Sequence, residues 1–370
     1  MVASTSTGTI TSKKSAVIGG PTSYQPVSRS SLATLNLVPG QPNPQNINTI
    51  YILRDLFLTM NLNFTLTAAT SNAAVQPGDE WGPISNIQFT LNNGKIRTSL
   101  TGEQLVFLAW MESGFVRNVQ VSATVGTTTT TYNSWAAFVA STANATGTVV
   151  NVKSVLPLPV KLFTTVKPLD FAINANLFST LTITATFASI ANFISTGATF
   201  NSCSIRVDSH EALARNIGST PVFTFVETSV QATPLAANTT DYDINLPANT
   251  TYLRVFLNTK SSSNVDTVSL NKIQIRSSAY EPMDAHPWTE LQAYFYNHGV
   301  QQSTLPFYNE SFNLGAWSVY DFVRDGYVTE AYPLLGQKES GFKVSTGSNP
   351  CTLYAIMQKI NQQSVVTTAA

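Results

Sequence analysis

The sequence predicts an all-β protein made of two consecutive jelly-roll β-sandwiches, a double jelly roll, each with one short wall helix. Three observations predict it. Short segments of alternating apolar and polar residues recur from Ile50 onward, separated by Gly, Pro and Asn turns. Two helix signatures interrupt them, starting near residues 102 and 287, about half of the 370-residue chain apart. Charged residues make up only 11% of the chain, with 20 Lys plus Arg against 20 Asp plus Glu, where ordinary soluble domains carry about 25%.

The first half reads as follows. Residues 1–45 are Ser/Thr-rich, end in "PGQPNP" and show no periodicity, so they are read as an extended or partly disordered arm. "TIYILRDLFLTMNLNFTLT" then alternates, with Leu62, Phe64 and Leu66 on one face of a long strand. Residues 76–79 make a turn, and strands at 87–91 and 95–99 flank Asn93-Gly94, a pair suited to the positive φ of a tight hairpin. Thr101 and Gln104 form a capping box, Leu105, Leu108, Ala109 and Glu112 follow at helical spacing, and Gly114 closes the helix. Such a cap contributes about 1 kcal/mol, which sharpens the boundary and assigns no chemistry. "GTTTTTYNS" from Gly126 reads as a surface loop. Two prolines place "VLPLPVKLF" (155–163) at a sheet edge or the start of a strand. "LTITATFAS" alternates with Leu181, Ile183, Ala185 and Phe187 inward, and residues 209–221 read as a link with a short helical turn ended by Gly218.

A second strand series starts at Val222. "TYLRVFLN" sets Leu253, Val255 and Leu257 against Tyr252, Arg254 and Phe256, and "VSLNKIQIR" covers 268–276. "DAHPWTELQAYFYNHG" is a helix with Pro287 in its first turn and Gly299 at its end. Late strands lie around Tyr327, at 342–344 and at 352–360. No residue-level repeat joins the halves; only the layout is duplicated. The sandwiches are placed at about 46–215 and 220–365.

A near-neutral surface lets copies meet without repulsion, and the lack of clustered Lys and Arg argues against a large phosphate-binding face. Lys13 and Lys14 precede no apolar h-region, so no secretory signal is expected, and no apolar run is long enough for a transmembrane helix. Cys203 and Cys351 are read as packed thiols. Sequons at Asn63, Asn144, Asn238, Asn249 and Asn309 are expected by chance in a chain this rich in Asn and Thr.

Chemistry is sparse. His210 with Asp208 and Glu211, and His286 with Asp284, lack a third ligand and are read as surface turns. His298 is a helix end, Asp241 and Asp243 lack the rest of a calcium loop, and Gly94-Lys95 lacks phosphate-loop spacing. No nucleophile elbow or zinc-protease motif is present. No catalytic, cofactor-binding or metal-ligating residue is assigned, and the chain is read as a non-enzyme. Trp81, Trp110, Trp135, Trp288 and Trp317 admit core packing, subunit contact or sugar stacking.

Four stretches carry a resemblance: "DEWGPISNIQFTLNNGKIRTSLTGEQLVFL" (79–108), "VLPLPV" leading to "LTITATFAS", "TFVETSVQ" (224–231) and "GQKESGFKVSTGSNPCTLYAIMQKI" (336–360). Each is short, but their order over residues 46–362 resembles the tectivirus-type major capsid proteins, the double jelly-roll coat proteins of membrane-containing bacteriophages. That resemblance implies a homotrimer of pseudo-hexagonal outline, tiling an icosahedral shell over an inner membrane. It further implies vertex and minor capsid proteins as partners, no cofactor, no direct nucleic-acid binding, synthesis in the host cytoplasm and residence in the virion. On this reading the helices stiffen walls that face neighbours. One departure stands out: the arm carries only Lys13, Lys14 and Arg29 and no helical period. That puts membrane contact by the arm in question and leaves a neighbour-clasping arm open. The rivals are an RNA-virus coat protein, which lacks here its Arg-rich arm, a receptor- or carbohydrate-binding spike, and a two-jelly-roll glycan hydrolase. Interface residues are not assigned.

Overall fold

The computed structural model describes residues 24–71, 74–76, 78–92, 95–113, 119–160, 172–175, 178–214, 224–247, 250–277, 286–297, 314–323, 332–333 and 340–362. The first half runs β1 (Tyr24–Leu37), β2 (Pro42–Asn46), β3 (Ile52–Leu66), β4 (Ile84–Leu91), β5 (Lys95–Leu100), α1 (Gly102–Ser113), β6 (Gln120–Val125), β7 (Thr128–Tyr132), α2 (Trp135–Val139), β8 (Val149–Leu158), β9 (Ile173–Asn174), β10 (Leu181–Phe187) and β11 (Ala198–Ala214). The second runs β12 (Thr224–Leu235), β13 (Tyr242–Asn245), β14 (Thr251–Lys260), β15 (Leu270–Ser277), β16 (His286–Pro287), α3 (Trp288–Asn297), β17 (Trp317–Asp321), β18 (Tyr332–Pro333), β19 (Ser340–Thr346) and β20 (Cys351–Gln362).

Both halves solve the same problem. In the first, β1-β11-β3-β8 and β2-β10-β4-β5 are the strand orders of two sheets; in the second they are β12-β20-β14-β17 and β13-β19-β15-β16. Counting the eight sandwich strands of each half in chain order, each half is 1-8-3-6 against 2-7-4-5. That is a jelly roll twice, with α1 and α3 each in the connection between fifth and sixth strands. The alternation that builds a half-buried strand is plain in β10, where Leu181, Ile183, Ala185 and Phe187 are buried. The capping box forms as read: Gln104 N donates to Thr101 Oγ1 at 3.2 Å, and Thr101 N donates to Gln104 Oε1 at 3.0 Å.

Several expectations are corrected. Residues 24–46 are not an arm but the first two strands of the first sandwich, β1 paired with β11 and β2 with β10. Their alternation is hidden by a register shift between Arg29 and Ala33, with Ser31 at φ 56, and among the described side chains of β1 only Leu35 and Leu37 are buried apolar residues. Pro42 and Pro44 are tolerated because β2 is an edge. The threonine run is a strand, β7, hairpinned to β6, its four threonines exposed and Tyr132 half-buried against the core. The link at 209–221 begins as the end of β11; residues 215–223 lie outside the described residues. The prolines of "VLPLPV" sit at the end of a strand rather than on an edge strand or at a strand start: β8 lies between β3 and β6, with Pro157 in its last residues and Pro159 just past it. β8 pairs with β6 only up to Lys153, so Pro157 has β3 on one side and no β6 on the other. Gly94, Gly114, Gly218, Gly299 and Tyr327 lie outside the described residues.

The two jelly rolls share a backbone bond. One parallel pair, Thr98 with Thr228, joins β5 to β12 and so fuses sheets from both halves into one. Both threonine hydroxyls are buried without a hydrogen-bond partner, which costs the folded state their hydration. Replacing Thr98 and Thr228 together by Val is expected to raise stability by about 1 kcal/mol per site; an unchanged or lower thermal midpoint would refute this.

Candidate functional site: the seam between the sandwiches

α1 is not a wall facing a neighbour. Leu105, Val106, Phe107, Leu108, Ala109 and Trp110 are six consecutive buried residues, and a helix apolar on all sides is an interior helix. It lies between the two sandwiches. Phe107 stacks on Trp317 with ring centroids 3.6 Å apart and planes 20° apart, and meets Phe256 edge-on at 6.1 Å. Phe256, Trp317, Val319 and Ile356 of the second half thereby join the core of the first. The helix start is held by close approach: a Cβ on Gly102 would lie 1.9 Å from the Trp81 carbonyl oxygen, so only glycine fits. Trp81 is anchored in turn, its Nε1 donating to Ser154 Oγ at 3.0 Å, and Ser154 Oγ donates to Glu80 Oε1 at 2.6 Å.

At the rim of the aromatic stack sits a buried charge group. Lys260 Nζ donates to both Glu103 carboxylate oxygens at 2.7 and 2.8 Å and lies 3.6 Å from Asp266 Oδ1. Asp266 also accepts from Asn258 Nδ2 at 3.0 Å and from Trp317 Nε1 at 2.9 Å. The group ties α1 to β14, the loop after it and β17. Burial pushes the Glu103 carboxyl above the usual range, with Lys260 opposing and Asp266 adding to the rise. For Lys260 burial acts downward, but the two carboxylates outweigh it and its ammonium titrates above the ordinary lysine range.

The residues weighed for chemistry are placed apart from this seam. His210 lies on β11 rather than a turn, 3.8 Å from Asp55 Oδ2 and edge-on to Phe57 at 4.9 Å. Asp208 accepts from Arg206, Ser31 N and Thr59; burial would raise its carboxyl, but these bonds hold it below the ordinary range. Glu211 accepts from Ser209 Oγ at 2.9 Å, with Arg29 at 3.7 Å. Asp241 and Asp243 pair with Lys272 and Arg276 at 3.4 and 3.1 Å. Among the described residues no three His, Cys, Asp or Glu side chains converge as metal ligands. Asp284, His298 and Asn309 lie outside them, as does the side chain of His286. Cys203 and Cys351 are free and buried, and burial pushes the Cys203 thiol up to about 12. Asn144 is engaged, accepting from Thr70 N at 2.8 Å and donating to Val139 O at 3.1 Å. A cleft of about 680 Å³ opens beside Arg29, Tyr51 and Phe178.

Lys260→Met leaves Glu103 and Asp266 buried without their cation, a loss of about 3–5 kcal/mol at neutral pH. The sign of its pH dependence follows from Glu103. A carboxyl whose folded pKa lies above its unfolded value, about 4.3, binds more protons folded than unfolded, so stability falls as pH rises through that window. The variant is therefore expected to regain stability on acidification from pH 8 to 5 in urea titrations. A loss independent of pH would contradict the assignment.

No family model matches the chain, and no curated protein matches it by sequence. Solved structures do. The chain is similar to a chain in the atomic structure of Sulfolobus Turreted Icosahedral Virus at 11% identity and TM-score 0.62, covering 91% of this chain and 90% of that one. It is similar to the Faustovirus major capsid protein at 9% identity and TM-score 0.59, covering 92% and 89%. It is similar to the major capsid protein P2 from bacteriophage PM2 at 11% identity and TM-score 0.54, covering 91% and 98%. The repeated strand order and the coverage of nine-tenths of both chains lead to one conclusion: this polypeptide has the double jelly-roll fold of those viral major capsid proteins.

Proposed function

We propose that the chain is the major capsid protein of an icosahedral virus, three copies forming a trimer of pseudo-hexagonal outline that tiles the shell. The observation that carries this reading is the tandem of topologically identical sandwiches locked side by side through a buried seam. Three such chains present six similar units, which fill a plane without gaps. The first roll begins at β1 and the second at β12. A chain with equal numbers of cationic and anionic residues and few of either suits lateral packing of identical faces. The protein then works by assembly rather than catalysis, resides in the virion, and is made in the host cytoplasm. Vertex and minor capsid proteins and an inner membrane are its further partners, and nucleic acid is not bound directly. Among the described residues no helix is long and apolar enough to cross a membrane.

Native mass spectrometry of the purified chain is expected to give three times the 40.0 kDa subunit mass, and negative-stain images to show flat hexagonal particles. A monomer at every concentration tried would end this reading.

A further inference from the structure

The charge group at the rim of the seam holds a nucleophile, a carboxyl and a proton carrier together in one dry place. Lys260 and Asp266 face each other directly across the turn between β14 and β15, as an antiparallel bridge. Their frame is fixed on both sides: Ser261 N donates to Val265 O at 2.8 Å, and Thr267 N donates to Thr259 O at 2.9 Å. Directly opposed residues have Cβ atoms about 4.5–5.5 Å apart, a gap that a lysine stem and an aspartate carboxyl span. Lys260 Nζ lies 3.6 Å from Asp266 Oδ1, and each residue is only 6% exposed.

We propose that Lys260 and Asp266 join through their side chains in an amide, a self-formed cross-link for which Glu103 carries the protons. The Lys260 ammonium passes a proton to Glu103, and the lone pair of the freed amine attacks the Asp266 carboxyl carbon. One C–O bond of that carboxyl then breaks. Its oxygen leaves as water, with two protons that began on Lys260 and were relayed by Glu103. One ammonium and one carboxylate thus become one amide and one water. No oxidant, cofactor or second substrate is consumed, and Glu103 ends as it began. This goes beyond the capsid reading and does not rest on it.

The hydrogen-bond partners divide the roles. Glu103 accepts from Nζ with both carboxylate oxygens, at 2.7 and 2.8 Å, and so is set to receive its proton. The Asp266 oxygens accept from neutral donors as well, Oδ1 from Asn258 Nδ2 at 3.0 Å and Oδ2 from Trp317 Nε1 at 2.9 Å. Fixed donors of this kind stabilise the negative oxygen that develops when an amine adds to a carboxyl carbon. Burial lifts the Glu103 carboxyl above its usual range, and on Lys260 it works toward the free amine, although the two carboxylates outweigh it there. Well-oriented groups reach effective concentrations of about 10⁵–10⁸ M, and a site that excludes water favours a step that releases it. The amide removes two charges from the interior and pins the turn whose Asp266 holds the Trp317 ring that stacks on Phe107.

Mass spectrometry of the unfolded full-length chain tests this. The wild-type chain is expected to weigh less than its sequence by one water. Trypsin, which cuts after a free lysine, is expected to leave the peptide 255–272 uncut at Lys260, with the deficit inside it and fragments that place the link between Lys260 and Asp266. Glu103→Gln and Asp266→Ala are each expected to restore the full mass and the cut. A wild-type chain of full mass that trypsin cuts at Lys260 overturns the proposal. So does a link from Lys260 to Glu103, or a deficit that survives Asp266→Ala. Complete linkage in Glu103→Gln overturns the relay. If either variant fails to fold, the wild-type mass and fragments decide.

Discussion

The stacked pair of Phe107 and Trp317 carries the arrangement of the two sandwiches, because the backbone does little to set it. One parallel pair joins β5 to β12, and a single bridge leaves the angle between the units open. What closes that angle is a helix buried on every side, with its aromatic ring flat against a tryptophan of the other unit. Offset and stacked rings have a preferred geometry and contribute roughly 0.5–1.5 kcal/mol beyond the area they bury. The charge group at their rim adds direction rather than strength. A buried ion pair returns little net energy against desolvation, but sliding one unit past the other would strand Glu103, Asp266 and Lys260 in a dry place.

Identical topology is reached with unrelated residues. The first sandwich closes over long strands, β3 and β11, whose fourteen-odd paired positions supply Leu56, Leu58, Met60, Leu62 and Phe64 to the core. The second uses shorter strands and fills its interior with Tyr252, Trp288, Tyr320 and Phe342. What is common is the placing of turns, edges and the helix between fifth and sixth strands. Pattern and connection lengths therefore specify the fold, and side-chain identity specifies only how each interior is filled. Outside, amides and hydroxyls take the place of charge, as where Asn201 donates to Asn63 and Thr65 on adjacent strands.

Much of this was legible in the residues. Strands with one wet face show their period, so β3, β10 and β20 were readable, and the capping box located α1 to the residue. β1 was not, since a bulge breaks its alternation and its polar residues outnumber its apolar ones. β7 was not, because threonine serves a loop and a strand equally well until a partner strand is known. The role of α1 was available in principle: "LVFLAW" has no polar face, and a helix without one does not line an outer wall. The charge group had no such signal. Glu103, Lys260 and Asp266 come from distant segments, and a lysine ending an apolar strand becomes informative only when its surroundings are known.

The narrow join between the units has a mechanical consequence. Bending stiffness in a sheet comes from successive ladder bonds, and between Thr98 and Thr228 there is one rung. A single rung resists tilting weakly, so the setting of one sandwich on the other is held by side chains, the Phe107–Trp317 stack and the pairing of Lys260 with Glu103. On the capsid reading, a subunit that had to bend to follow a curved surface would bend at this waist, at the cost of those side-chain contacts and not of either interior.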